Sequence, residues 1–166
     1  MGPGGGEHVF PQFAGAQPPV SPDQPAAGRI VGPPGDTWRL RRPGDWLRQA
    51  ELDLAAAGDI EKAQHFEWAC FLAQQAAEKA AKAAHESVGT EAWGHSVAGL
   101  LAGLEDVPDA VMDAARSLDK HYIPARDPNS HPEGAPGDLY TAREAEQALR
   151  DAATVIEHVK GRLPPA

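Results

Sequence analysis

The stretch from Gln64 to Val88, QHFEWACFLAQQAAEKAAKAAHESV, decides the fold. Within it Phe66, Ala69, Ala73, Ala76, Ala80 and Ala83 recur at alternating steps of three and four, the repeat that aligns side chains on one face of an α-helix. Cys70, Ala77 and Ala84 widen the stripe. A seam of alanines rather than leucines permits close approach of a neighbour, so this long helix is expected at the centre of a helical packing.

Working outward, Pro43-Gly44-Asp45 reads as a turn and N-cap, and Leu47, Ala50, Leu54 and Ala57 follow at helical spacing, with Gly58 expected to stop this first helix. On the other side, Ser96 is a cap for a short helix carrying Val97, Leu100, Leu101 and Leu104. Pro108 opens the next, with Val111, Ala115, Leu118 and Tyr122 inward. Pro124 to Gly137 holds four prolines and two glycines and reads as an irregular loop, of a length that is uncommon unless functional. Thr141 and Glu144 make a capping box for a last helix whose face is Ala145, Leu149, Ala152, Ile156, Val159 and Leu163. The expectation is an all-α, up-and-down bundle of about five helices. The domain is bounded at residues 43–166 and preceded by a disordered tail over residues 1–42, where Gly2-Pro3-Gly4-Gly5-Gly6, Pro18-Pro19 and Gly32-Pro33-Pro34-Gly35 break any regular element. Trp38-Arg39-Leu40-Arg41-Arg42 closes the tail as a small basic cluster.

Composition narrows the function. The 166 residues carry a formal net charge of −9, which disfavours nonspecific binding to a polyanion, so any RNA contact must be local. Cys70 is the single cysteine; an intrachain disulfide and a Cys-rich zinc site are excluded, and a reducing cytoplasm fits best. No apolar run reaches membrane-spanning length, and no signal-peptide pattern opens the chain. His121 and His131, with Asp127 between them, match neither a helical nor a finger metal site, so neither metal nor cofactor is expected.

Four pieces in order carry a resemblance to a known family: Trp46-Leu47-Arg48-Gln49-Ala50-Glu51-Leu52-Asp53-Leu54; Trp68-Ala69-Cys70-Phe71-Leu72-Ala73-Gln74-Gln75-Ala76-Ala77-Glu78-Lys79-Ala80; Gly94-His95-Ser96; and Tyr122-Ile123-Pro124-Ala125-Arg126. Together with the acidic, alanine-rich last helix they make the chain after residue 43 resemble the prokaryotic HEPN domain. That resemblance implies a helical bundle that is commonly a homodimer, often encoded beside a small nucleotidyltransferase, and in many members a metal-independent ribonuclease of toxin or defence type. Its nuclease members carry an Arg, a polar residue, and a His after a gap of four to six. Here Arg126, Asp127 and His131 fit that form, with four residues between the Arg and the His. Where some toxin members have a Tyr two places past the His as a target of nucleotide transfer, this chain has Glu133.

The chemistry suits the residue types. Cleaving RNA without a metal requires deprotonating the 2′-hydroxyl, stabilising charge on the phosphorane and protonating the departing 5′-oxygen. Imidazole serves the proton steps and the forked guanidinium serves the phosphate. His131 and Arg126 are the candidates, with Asp127 orienting one of them, Asn129 and Ser130 donating to a phosphate oxygen, and Lys120 bordering an RNA or nucleotide groove. An Arg-x4-His spacing is also short and common, and a structural ion pair for Arg126 with a solvated loop His131 accounts for it equally. Two other readings stand beside the ribonuclease: a non-catalytic nucleotide- or partner-binding module working with a nucleotidyltransferase, and a structural dimerisation domain. Trp46 and Trp68 read as core or dimer-interface anchors, and His95 as a capping or packing residue.

Overall fold

The computed structural model describes residues 41–163. The expectation of a disordered tail over residues 1–42 therefore falls almost wholly outside the described residues. The described chain folds as α1 (Pro43–Lys62), α2 (Phe66–Val88), α3 (Val97–Leu101), α4 (Asp109–Asp119), α5 (Pro136–Leu139) and α6 (Ala142–Lys160), with a 3-10 turn at Pro128–Ser130 between α4 and α5. No strand occurs among the described residues. The all-α expectation holds. The sixth helix beyond the expected five is the single turn α5, where Pro136 sits at the N-terminal position that tolerates a missing N–H.

The centre of the domain is α2. Ala69, Ala73, Ala76, Ala77, Ala80, Ala81 and Ala83 are fully buried, and α1, α3, α4, α5 and α6 all pack on this helix. Methyl side chains let the backbones approach on several sides at once; leucines at these positions would hold the neighbours away. Among the largest side chains of the core are Leu101, Leu118, Val97, Val155 and Val159, which fill the space between α2 and α3, α4 and α6. A short link, Ala63–His65, with Gln64 in the left-handed region (φ 64°), reverses the chain from α1 into α2. The pair is joined by an ion pair between Asp53 and Lys79 Nζ at 2.7 Å. Gly89, at φ 82°, ends α2 in the left-handed conformation that glycine adopts without a Cβ penalty.

Pro43-Gly44-Asp45, expected as a turn and cap, is instead the first turn of α1, with Arg42 at the N-cap. Two further boundaries shift. Tyr122 lies beyond the end of α4 rather than on its inner face, and Asp119, the last residue of α4, caps α3. Its carboxylate accepts from Ser96 Oγ (2.6 Å), Val97 N (2.6 Å) and Ala98 N (3.2 Å), tying the end of one helix to the start of another. Ser96 also accepts from Gly99 N, as a cap should. The other correction is Gly58, expected to end α1. The helix runs on to Lys62, and Ile60, beyond the glycine, packs against the core. Burial of that last turn outweighs a glycine penalty of about 1 kcal/mol.

A Cβ placed on Gly58 would meet only Leu149 Cδ2 of α6, at 3.6 Å, an ordinary contact. Gly58→Ala is therefore expected to stabilise the domain by about 0.5–1 kcal/mol through backbone entropy. Chemical denaturation of the two proteins checks this, and a loss of stability would show that α6 cannot accommodate the methyl.

Candidate active site

After α4 the chain makes tight turns through residues 121–126, anchored by the fully buried Ala125, and then forms the 3-10 turn. Arg126 and His131 each hold a main-chain carbonyl of this segment. Arg126 Nε donates to Tyr122 O at 2.8 Å, and the guanidinium lies over two rings, with Cζ 4.6 Å from the Tyr122 centroid and 5.1 Å from that of Phe71. With Nε engaged and one flat face covered, the remaining N–H donors of this exposed residue are free to point at an anion, and no carboxylate pairs with them among the described residues.

His131 Nε2 lies 2.8 Å from Pro124 O. A carbonyl can only accept, so Nε2 carries the proton, and in the neutral ring Nδ1 is the basic nitrogen. The ring meets Tyr140 edge-on, with centroids 6.4 Å apart. Thus Arg126 rests on Phe71 and Tyr122, whereas His131 rests against Tyr140, and the two side chains leave the same loop against different rings.

The remaining expected residues divide. Asp127 neither contacts Arg126 nor accepts from an imidazole. Its Oδ1 accepts from Asn129 N (2.9 Å) and Asn129 Nδ2 (3.1 Å), capping the 3-10 turn that leads to His131. Asn129 and Ser130 are exposed on that turn, beside His131 in sequence. Lys120 is exposed at the end of α4, and no contact joins it to Arg126 or His131. Trp46 and Trp68 are not core residues of the chain, being 36% and 49% exposed.

A buried polar group on α2 that sequence patterns did not flag holds His95, which stacks on Tyr122. Glu78 on α2 is only 4% exposed, and Lys82 Nζ donates to it at 2.8 Å, Gln75 Nε2 at 3.1 Å and His95 Nδ1 at 3.2 Å. Gln74, fully buried, donates to His95 O at 2.8 Å. Residues 74, 78 and 82 stand four apart among alanines, one turn above another, and that spacing was the available signal. His85, in the last turn of α2, is buried, bonded to Thr90 Oγ1 and Leu100 O, and serves packing.

Burial pushes the Cys70 thiol up to about 12, aided by Glu144 and Glu67, so it is an inert core residue rather than a nucleophile. Tyr140 is likewise raised, chiefly by burial.

The HEPN domain family model matches residues 44–162. The chain belongs to the HEPN family. It is similar in structure to TT1696 from Thermus thermophilus, with 45% identity and a TM-score of 0.73 over 75% of this chain and all of that one. It is also similar to ST0689, an archaeal HEPN homologue, with 39% identity and a TM-score of 0.67 over the same shares. A relative from Methanocaldococcus jannaschii named "Putative toxin MJ1304" is 28% identical over 134 residues, covering 71% of this chain and 86% of the relative. Among the described residues, no helix of this HEPN domain is long and apolar enough to cross a membrane.

His121, bonded to Tyr140 Oη at 3.3 Å, supplies a test of how this side of the HEPN domain is packed. Burial lowers its pKa from 6.5, outweighing the opposing Glu144 and Asp151, while Lys120 adds to the lowering. The unfolded chain then takes up a proton before the folded one does. The contribution of neutral His121 is intact above the ordinary histidine pKa and is lost as pH falls from there to the depressed folded value. His158 is lowered in the same sense, by burial and Arg162, so the informative quantity is a difference. Denaturation between about pH 5 and pH 8 should show a shallower loss of stability on acidification for His121→Gln than for the unsubstituted protein. Equal slopes would contradict the buried, neutral imidazole.

Proposed function

We propose that this HEPN domain is a metal-independent endoribonuclease of the toxin or defence type, acting as a homodimer on RNA. The observation that carries the reading is the pair of restrained groups on one loop. His131 has Nε2–H held by Pro124 O, which leaves Nδ1 to accept the 2′-hydroxyl proton. Arg126 has Nε held by Tyr122 O, which leaves its other donors for the phosphate oxygens. Asp127, with Asn129, acts by shaping the turn between them, and Asn129 and Ser130 offer further donors beside His131. The relative named as a toxin supports the biological class, and the Arg-x4-His form supports the reaction.

A second reading has one observation in its favour. Trp68 is half exposed and meets Phe71 edge-to-face at 6.0 Å, extending the rings under Arg126 into a platform on which a nucleotide base could stack without being cleaved. In that reading the domain holds a nucleotide, or presents itself to a nucleotidyltransferase, and Arg126 is a binding residue only.

Cleavage assays separate the two. The ribonuclease reading expects RNA cleavage that persists in chelator and leaves cyclic-phosphate ends. It expects His131→Ala to lose about a hundredfold or more. Arg126→Lys should also be impaired, because a point charge cannot replace the guanidinium fork, and Asp127→Ala should lose less. Light scattering should report a dimer. A confirmed dimer that leaves both structured and single-stranded RNA intact would leave the binding module standing.

A further inference from the structure

His95 is held in three ways, two through its exposed side chain and one through its main chain. Its Nδ1 lies 3.2 Å from Oε1 of the buried Glu78, its carbonyl accepts from the fully buried Gln74, and its ring stacks on Tyr122 at 4.8 Å with only 15° between the planes. Gly94, at φ 98° in a region closed to most residues, sets the entry into this position. Capping needs none of this: the cap of α3 is made by Ser96 and Asp119. Buried Gln74 and Glu78 gain partners in His95, and yet its side chain stays 57% exposed, which leaves the ring open to a ligand. A carboxylate on one imidazole nitrogen fixes the ring and turns the other nitrogen outward.

Arg126 rests on the same aromatic ring as His95. Arg126 Cζ and the His95 ring lie 4.6 and 4.8 Å from the centroid of the same tyrosine ring. Within one chain, the histidine that shares an aromatic support with Arg126 is thus His95, while His131 rests against Tyr140. Transesterification of RNA needs a base and an acid, and within one chain the segment from Tyr122 to His131 offers His131 alone.

We propose that His95, oriented by Glu78, is the second proton-transfer residue of the Arg126 site and protonates the departing 5′-oxygen. This rests on the ribonuclease reading. His131 Nδ1 takes the proton of the 2′-hydroxyl as the 2′-oxygen bonds to phosphorus. The bond from phosphorus to the 5′-oxygen breaks, and the proton on His95 Nε2 passes to that oxygen. The products are a 2′,3′-cyclic phosphate and a 5′-hydroxyl, and His95 remains as neutral imidazole with Nδ1–H on Glu78. Glu78 accepts from His95 Nδ1 and holds the ring in place, and the same oxygen accepts from Lys82 Nζ at 2.8 Å.

The test uses a leaving group that needs no proton. An oligoribonucleotide cleaved by the full-length protein is compared with the same strand carrying sulfur in place of the bridging 5′-oxygen at the cleaved linkage. With the oxygen substrate His95→Ala is expected to lose about a hundredfold. With the sulfur substrate it should recover to near the unsubstituted rate, whereas His131→Ala stays impaired on both. His95→Gln, which keeps a donor for Glu78, is read in the same way should the alanine variant melt below the assay temperature. Full activity of the His95 variants on oxygen, or equal loss on oxygen and sulfur, overturns the proposal while leaving the ribonuclease reading intact. An unsubstituted protein that cleaves neither strand overturns the ribonuclease reading and this proposal with it.

Discussion

The close approach of helices to α2 is the constraint on which the rest depends. Seven alanines of α2 are fully buried, and five other helices lie against it. Each buried methyl contributes little apolar area, so stability comes from the number of neighbours that methyl-sized seams admit rather than from any large side chain. The same closeness has a cost. Gln74, Glu78 and His85 share the helix with the alanines and are carried into the interior, where each must find partners. Gln74 and Glu78 find them in His95, and His85 finds them in Thr90 and Leu100. The segment around His95 is in this sense a consequence of core packing, because it satisfies the buried polar groups of α2.

A second restraint carries that order to the loop. Asp119 joins the end of α4 to the start of α3, immediately after His95 and immediately before the turns that hold Tyr122 and Arg126. Two segments distant in sequence are thereby fastened at adjacent points, and the stack of His95 on Tyr122 closes the arrangement. The loop from residue 122 to 131 is stiffened further from within, by Arg126 and His131 on main-chain carbonyls and by the cap of Asp127 on Asn129. Preorganisation of this kind lets a site present charge and proton acceptors without reordering during the reaction.

What the sequence disclosed follows from the range of the forces involved. The α2 stripe, the Ser96 cap and the Thr141–Glu144 capping box are local patterns, and the structure has all three. Gly58 was misread because its local penalty is visible and the burial of Ile60 beyond it is not. The turn α5 was missed because Pro136-Gly137 looks like a break, although proline is welcome at a helix start. Asp127 was expected to serve the reaction, but Asp-Pro-Asn is equally a turn signature, and local hydrogen bonding took the carboxylate. The partnership of Glu78 with His95 spans 17 residues and two elements, and no periodicity reveals such a pair. Membership of the HEPN family was legible because it rests on ordered motifs along most of the domain.

Arg126, His131 and His95 are proposed to form one phosphate-directed site, with Tyr122 and Glu78 holding His95 and Arg126. Long-range proton–nitrogen NMR of the imidazole rings, with the Arg126 Nε signal, tests it most directly when a 2′-deoxy oligonucleotide that cannot be cleaved is titrated into the protein. His131 is expected as the Nε2–H tautomer in its neutral form, with His131, His95 and Arg126 shifting together on one binding curve. A bound oligonucleotide that moves other histidines and leaves these three unchanged would contradict it.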